Sequence, residues 1–362
     1  MSNFINILFW EQRKLGDIAS FENGRAFKQK ELLDQGKYPV LRVGNFYTNS
    51  KWYYSNLELS ENKYANKGDL LYTWSATFGP HIWRGKKVIY HYHIWNIKFK
   101  GTLLNKLFLL YFLDFDKSQL LSNTNGSTMI HVTKTNMENK RITFPNVNEQ
   151  TQIGNILKKL NNLISLQQRK SYLCKCINQA INQQLFLKKD SWEKAILHKL
   201  VHIEDNKRIP VKESMRKKGL IPYYGANGIQ DYVQGFTHNG KFILIAEDGA
   251  NSLTNYPVIQ VNGKIWVNNH SHVLQPDNRQ VDINFLTLAL KLINYQKYVV
   301  GGSRTKLNLE DLKNIIIYLP PLDLQNKIGN FYNQQKIQNK YLNNQILQLK
   351  HIKQFLLQNM FI

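Results

Sequence analysis

Residues 145–186 read PNVNEQTQIGNILKKLNNLISLQQRKSYLCKCINQAINQQLF, and residues 320–361 read PPLDLQNKIGNFYNQQKIQNKYLNNQILQLKHIKQFLLQNMF. One element is written twice. Ile153-Gly154 and Ile328-Gly329 lie 175 positions apart, and the same offset matches Pro145 to Pro320, Asn148 to Asp323, Gln150 to Gln325 and Phe186 to Phe361. Apolar residues recur at three- and four-residue steps: Ile153, Ile156, Leu160, Leu163, Ile177 and Ile181 in the first copy, and Ile328, Phe331, Leu342, Leu349, Ile352 and Leu356 in the second. This spacing predicts two long helices with a heptad-like seam, each about 55–60 Å long. Asn148 and Asp323 are good N-cap types with a proline upstream, and Lys188-Lys189 suits the negative end of the first helix. Gln167, Lys170, Gln335 and Gln338 interrupt the seam and are expected to fix its register.

Outward from the helices the duplication continues. Trp10-Glu11 resembles Trp192-Glu193, Tyr38-Pro39-Val40 resembles Ile221-Pro222-Tyr223, His91-Tyr92-His93 resembles His270-Ser271-His272, and Gly126-Ser127-Thr128 resembles Gly302-Ser303-Arg304. Each copy opens with short apolar or β-branched runs, among them Leu70–Trp74, Val88–Ile97, Phe242–Ala246, Val258–Val261 and Ile265–Val267. Asn23-Gly24, Ala226-Asn227-Gly228 and Asn262-Gly263 punctuate them. A short apolar helix follows, around Leu103–Leu113 and Ile283–Ile293, then a Gly/Ser loop and a strand-like run, Ile142–Phe144 or Ile315–Leu319. The order is globule, long helix, globule, long helix. The chain starts just before the equivalent of Trp192 and stops just after the equivalent of Phe186, as a closed pseudo-twofold ring cut once would. The two helices are therefore expected to run antiparallel.

The 362 residues carry 48 Lys+Arg against 25 Asp+Glu, a net charge of +23, with 43% hydrophobic and 12% aromatic content. That composition excludes a disordered chain and points to a polyanionic partner, most often nucleic acid. The two cysteines, Cys174 and Cys176, would face different sides of a helix, so neither a disulfide nor a metal pair is expected. The N-terminus lacks a charged signal region and no apolar run approaches ~18 residues, which leads us to expect a soluble, cytoplasmic protein.

The sequence holds no GxxxxGK[ST] loop and no glycine-rich dinucleotide fingerprint after a strand. It also lacks the Asn/Asp-Pro-Pro-aromatic tetrapeptide of amino-methylating DNA enzymes. Glu247-Asp248-Gly249 stands where the first copy has Trp74-Ser75-Ala76, so it reads as a polar loop tip. The His-x-His pairs, His91 with His93 and His270 with His272, each share a strand face, but no third ligand type recurs beside both, so no metal is expected.

Basic, aromatic and amide residues interleave in the loops 42–54, 74–84 and 223–236, where such side chains could read base edges. The candidates are Arg42, Asn45, Lys51, Trp74 and Ser75 in the first copy, and Tyr224, Asn227, Asp248 and Asn251 in the second, with the four histidines. Ser127 and Thr128 with Lys134, and Ser303 and Arg304 with Lys306, form two small-residue loops beside a cation, a combination suited to holding phosphates.

Four features together resemble one family, the specificity subunits of Type I restriction–modification systems. They are the Trp-Glu…Leu start of each copy (Trp10, Trp192), Pro222 to Gly228, the Gly126 loop, and Leu-Pro-Pro-Leu…Gln…Ile-Gly at Leu319–Gly329. The resemblance covers essentially the whole chain. The first copy departs from it with Tyr38-Pro39-Val40-Leu41-Arg42 where the second has Pro-Tyr-Tyr-Gly, which fits two globules reading different sequences. The resemblance implies an α+β chain with two strand-rich target recognition domains, 1–144 and 191–319, separated by two long antiparallel coiled-coil helices, 145–190 and 320–362, in a pseudo-twofold internal repeat. It further implies that each domain reads half of a split double-stranded DNA site, and that the chain itself holds no catalytic residues and no cofactor. The partners it implies are two modification (methyltransferase) subunits that bind S-adenosylmethionine, with restriction subunits as a further partner. The competing readings are a stand-alone DNA-binding protein or nuclease, which would need a carboxylate–lysine cluster, and a coiled-coil scaffold, which would not need two basic strand-rich globules.

Overall fold

The computed structural model describes residues 10–47, 49–75, 77–122, 132–187, 191–301 and 305–361. They form two compact units, one of residues 1–167 with 345–362, the other of residues 168–344.

In the first unit the chain enters along Glu11–Lys14 and leaves along Arg141–Phe144, which pair antiparallel. Between them lie two four-stranded sheets. One runs in the order Ala19–Asn23, Ile94–Phe99, Leu70–Thr73, Gly79–Ile82; the other runs Tyr53–Ser55, Tyr38–Leu41, Val88–Tyr90, Tyr64–Ala65. The expected single run over residues 88–97 is broken by a turn at 91–93, so its halves serve different sheets. Phe21, Tyr72, Trp95, Phe108 and Leu113 fill the core, and burial of such side chains is the main stabilising term.

In the second unit Glu193–Ile196 and Ile316–Leu319 make the corresponding entry and exit pair. Its sheet has six strands, in the order Val201–Ile203, Ser271–Pro276, His238–Ala246, Val258–Val267, Lys218–Gly225, Gly228–Val233. Asn262-Gly263, expected as a break, lies inside the ten-residue strand Val258–Val267. Gly263 takes the left-handed φ of +93° there, opposite Gly240, so a local kink replaces a turn.

The long helices span Val147–Leu185 and Leu322–Met360. The first is capped by Asn146, whose Oδ1 accepts from Glu149 N at 3.0 Å, and not by Asn148, which lies inside the helix. The second starts at Leu322, before Asp323. Lys188 and Lys189 lie outside the described residues.

The repeated Gln and Ile-Gly explain how a globule docks on a helix. Gln150, fully buried, accepts from Asn105 N at 2.8 Å and donates to Leu103 O and Pro145 O. Gln325 accepts from Asp282 N at 3.1 Å and donates to Pro320 O at 2.9 Å. Each glutamine thus ties the start of its long helix to the start of the short helix, Lys106–Ser122 or Ile283–Lys291. The glycine leaves room for that approach: a Cβ on Gly154 would come 2.7 Å from Leu107 Cβ.

Within each unit the paired helix segments run in opposite directions. In the first unit Ile153 and Leu157 share a core with Leu357 and Phe361. In the second, Ser171 Oγ meets Asn343 Oδ1 at 3.2 Å and Asn182 Nδ2 donates to Gln335 Oε1 at 3.0 Å. Gln335 therefore sits in the seam as expected, whereas Lys170 and Gln338 are exposed. Ile156, Leu163, Ile177, Phe331 and Ile352, assigned to the seam from their spacing, are exposed as well. On each helix they stand at heptad spacing, a second set of apolar positions left exposed. No helix among the described residues is long and apolar enough to cross a membrane.

Candidate nucleic-acid interface

In the first unit the parallel pairing of Tyr38–Leu41 with Val88–Tyr90 delivers two loops side by side, and His91 N donates to Leu41 O at 2.9 Å. The Arg42 guanidinium lies 4.3 Å from the Tyr53 ring centre, with Lys51 Nζ 5.0 Å from the same ring. Asn45 shapes this loop: its Oδ1 accepts from Arg42 N, and its Nδ2 donates to Asn49 O and Lys51 O. Across from it, Trp74 donates from Nε1 to Tyr92 O at 2.9 Å, stacks on Trp95, and meets Tyr92 and His93 edge-on. Ser75 follows, half-buried. The His91 and His93 rings are 4.9 Å apart. Burial, then His93 and Arg42, push the His91 pKa down to about 4. His91 is therefore neutral near pH 7, and Arg42 and Lys51 supply positive charge at this edge.

One residue here escaped the sequence reading. His81 stacks on Phe46 at 4.1 Å and meets Tyr47 Oη at 3.2 Å, which joins the 42–54 and 74–84 loops. Its strand, Gly79–Ile82, carries no histidine pair to mark it.

In the second unit a parallel pair again sets the edge, with Tyr223 opposite Trp266 and Tyr224 opposite Val267. Tyr224 O accepts from Asn268 N at 3.1 Å. Asn227 Oδ1 accepts from Asn251 N and its Nδ2 donates to Gly249 O, both at 2.9 Å. His270 Nδ1 and Asp248 Oδ1 are 2.5 Å apart, with about a third of the His270 side chain exposed. Lys306 Nζ reaches Glu247 Oε1 at 3.2 Å, and its backbone bridges to Asp248. The structure thus gathers Tyr224, Asn227, Asp248, Asn251, His270 and Lys306 at one edge.

Three candidates change role. His272 is 1% exposed, and its ring nitrogens meet Asp205 Oδ2 at 2.6 Å and Leu307 O at 2.9 Å. It holds the unit together and has no nitrogen left for a base. Asn45 and Asn227 likewise commit both ends of their amides to neighbouring backbone, so they shape loops. Lys134 begins the short helix Lys134–Asn139 and lies 3.6 Å from Glu138; no contact among the described residues ties it to the 42–54 or 91–93 loops. Ser127, Thr128, Ser303 and Arg304 lie outside the described residues.

Asp205, Glu247 and His272 place ligand atoms within 4.8 Å of one another. Those atoms are already engaged. Arg208 meets Glu247 at 2.7 Å and Asp205 at 3.3 Å, and Lys306 takes the other Glu247 oxygen. The arrangement is a charge-compensated network that pins the 205–208, 247–248 and 271–272 segments.

The family profile described as the Type I restriction modification DNA specificity domain matches residues 9–172 and again 189–353. A provisionally named Type I restriction enzyme specificity subunit of Haemophilus influenzae is 46% identical over 132 residues, 36% of this chain and 34% of that protein. A Type I restriction enzyme specificity subunit of Methanocaldococcus jannaschii is 26% identical over 223 residues, 56% of this chain and 52% of that protein. The matches thus span about half or less of these relatives. The fold is shared with the S subunit of a Type I restriction-modification system from M. genitalium, at TM-score 0.69 and 17% identity, over all of this chain and 98% of the other. A chain from a structure on complex assembly and conformational transition of the type I R-M system aligns at TM-score 0.58 and 14% identity, over 97% of each. Two copies of one domain, each a strand-rich globule followed by most of a long helix, place this chain in the Type I restriction–modification DNA specificity family, to which it belongs.

Proposed function

We propose that the chain is the non-catalytic DNA-reading subunit of a Type I restriction–modification complex, with each unit reading one half of a split site. The observation that carries this reading is the convergence, in each unit, of basic, aromatic and amide-rich loops on one edge set by a parallel strand pair. Arg42, Lys51, Trp74, Ser75, His91 and His93 serve in the first unit; Tyr224, Asp248, Asn251, His270 and Lys306 serve in the second. Major-groove reading needs such donors and acceptors, and phosphate contact needs the cations. Ser127, Thr128, Lys134, Ser303 and Arg304 remain our candidates for phosphate contact.

The chemistry is assigned to partners: two modification subunits that carry S-adenosylmethionine and methylate adenine, joined by restriction subunits, in the cytoplasm. The exposed apolar positions Ile156, Leu163 and Leu166 in the first unit, and Leu173 and Ile177 in the second, support docking of partner helices. Asp205, Glu247 and Lys306 form a carboxylate–lysine cluster in the second unit alone, since Trp74 and Ser75 stand at the Glu247 and Asp248 positions of the first, so the test below includes cleavage by the chain alone.

The test is to mix the purified chain with its modification subunits and S-adenosylmethionine and to map methylated adenines. Exchanging residues 191–319 for those of another family member should change one half-site and leave the other. Methylation or cleavage by the chain alone, or a change in both half-sites, would overturn the reading.

A further inference from the structure

In the second unit a concave basin of about 1020 Å³ opens between the long-helix segments and the helix Ile283–Lys291. Lys175, Lys291 and Lys336 line it together with the amides Asn178, Asn182, Gln335 and Asn339, and no carboxylate of the described residues does.

The internal repeat shows the same place in another form. Phe285 stacks on Phe186 in the second unit, and Phe108 meets Phe361 in the first, so Lys291 corresponds to Asp114. In the first unit Asp114 is matched by Lys353 at 3.2 Å, in a cavity of about 570 Å³. The seam beside it is apolar, with Leu157, Ile164 and Leu357 buried. At the corresponding positions the second unit has Tyr332, Asn339 and Asn182, and Asn178 where Lys353 stands. One copy balances the charge with an ion pair and fills the seam beside it with Leu157, Ile164 and Leu357. The other has a lysine in place of the acid and amides in place of three of the other residues.

Those amides are incompletely paired. The bond from Asn182 Nδ2 to Gln335 Oε1 leaves Gln335 Nε2 and Asn182 Oδ1 without a partner among the described residues, although Gln335 is 5% and Asn182 8% exposed. Asn178 Nδ2 and Asn339 Oδ1 are in the same state. A polar layer that sets helix register needs paired amides; it needs neither unpaired donors nor cations. Lys336 is held in place by Gln260 Oε1 at 2.7 Å and lies 5.6 Å from the Tyr332 ring. Lys291 is exposed as a whole residue, and partial desolvation of its side chain lowers its pKa; desolvation followed by the charge of Lys291 lowers that of the half-buried Lys336. Two cations thus stand together, with no acid among the basin's described residues to balance them.

We propose that this basin is a binding site for a small phosphate-bearing anion. Lys175, Lys291 and Lys336 carry its charge, and the basin is large enough for a nucleotide. The unpaired amide atoms of Asn178, Asn182, Gln335 and Asn339 are shielded from solvent, and they meet the ligand's oxygens and hydroxyls by turning toward the basin when it binds.

The experiment is titration calorimetry of the full chain at constant ionic strength, with ATP in one arm and inorganic phosphate in another. The comparison is the double variant Lys291→Asp with Asn178→Lys, which rebuilds the Asp114–Lys353 pair of the first unit. Lys291→Met, a neutral change on a solvent-reaching side chain, replaces it if the double variant does not fold. Saturable one-to-one binding that weakens at least tenfold in the variant supports the site, and the arm that binds identifies the source of the phosphate. Absence of saturable binding in both arms at millimolar concentration overturns it. So does equal binding by wild type and variant, which would mean that the overall positive charge attracts anions diffusely.

Discussion

A Cβ placed on Gly329 would stand 2.0 Å from Asp282 Oδ1. The same oxygen caps the helix Ile283–Lys291 by accepting from Phe285 N at 2.8 Å. The second long helix therefore meets the short helix at its cap. Gly329→Ala should force the carboxylate away, losing the cap and straining the contact, with a destabilisation of about 1–3 kcal/mol. Urea unfolding checks the size. In an Asp282→Ala background the same change should be milder, because the clashing group is gone; equal losses in both backgrounds would refute the contact.

His272→Ala should act on stability and not on base choice. It leaves Leu307 O without its donor and removes one of the partners of Asp205, which keeps Arg208 and Val273 N; broken buried networks of this kind lose about 2–4 kcal/mol. A lower melting temperature with an unchanged methylation site is the expected result. A relaxed base position with normal stability would return His272 to the readers.

His270 and Lys51 should separate from each other in the assembled complex. Lys51→Ala removes a cation and should weaken all DNA sequences alike, reducing the slope of log K against log salt by about 0.9. His270→Ala should relax one base position at about 1–3 kcal/mol and leave the salt slope alone. Binding assays on two DNA sequences at several salt concentrations read both.

Acid should loosen the first unit. Burial, with the Lys117 charge adding, pushes the His81 pKa down to about 4, against an opposing pull from Asp114; His91 is lowered to the same level. A histidine in the unfolded chain titrates near ~6.5. The unfolded state therefore binds protons first, and the stabilisation is complete above about pH 6.5 and falls away as pH drops toward 4. His81→Gln, which can keep a contact to Tyr47, should flatten that part of the melting-temperature profile. An unchanged slope would show that His81 is not the group responsible.

Phe361→Ala should weaken the first unit selectively. Phe361 packs on Phe108, Phe112 and Phe115 and is 8% exposed, and truncating a buried phenylalanine loses about 3–5 kcal/mol. Hydrogen exchange should rise in residues 10–122 and stay level in residues 191–301.

Much of this was legible from the repeat, because Gln, Ile-Gly and Phe at one offset are the residues that dock each globule. The facing of the helices was not. Each long helix carries two apolar stripes, and spacing alone does not say that Ile153 points inward while Ile156 points out. The role of His272 was hidden for a related reason. Its pattern matches His93, but its partners, Asp205 and Leu307, lie 67 and 35 positions away in sequence. His81 was missed because nothing local sets it apart from an ordinary strand residue.

The first long helix begins among the residues of unit one, and Phe186, just past its end, packs against the core of unit two; the second begins in unit two, and Phe361, just past its end, lies in the core of unit one. Synthesis from the ribosome is directional, so the two units are finished in reverse order. All of unit two, residues 168–344, emerges in one piece before residue 361 does. Unit one, although made first, has an open place in its core until residue 361 has emerged. During translation the amino-terminal globule is the one that waits, and for that interval Phe108, Phe112 and Phe115 lack the ring that packs on them in the finished fold.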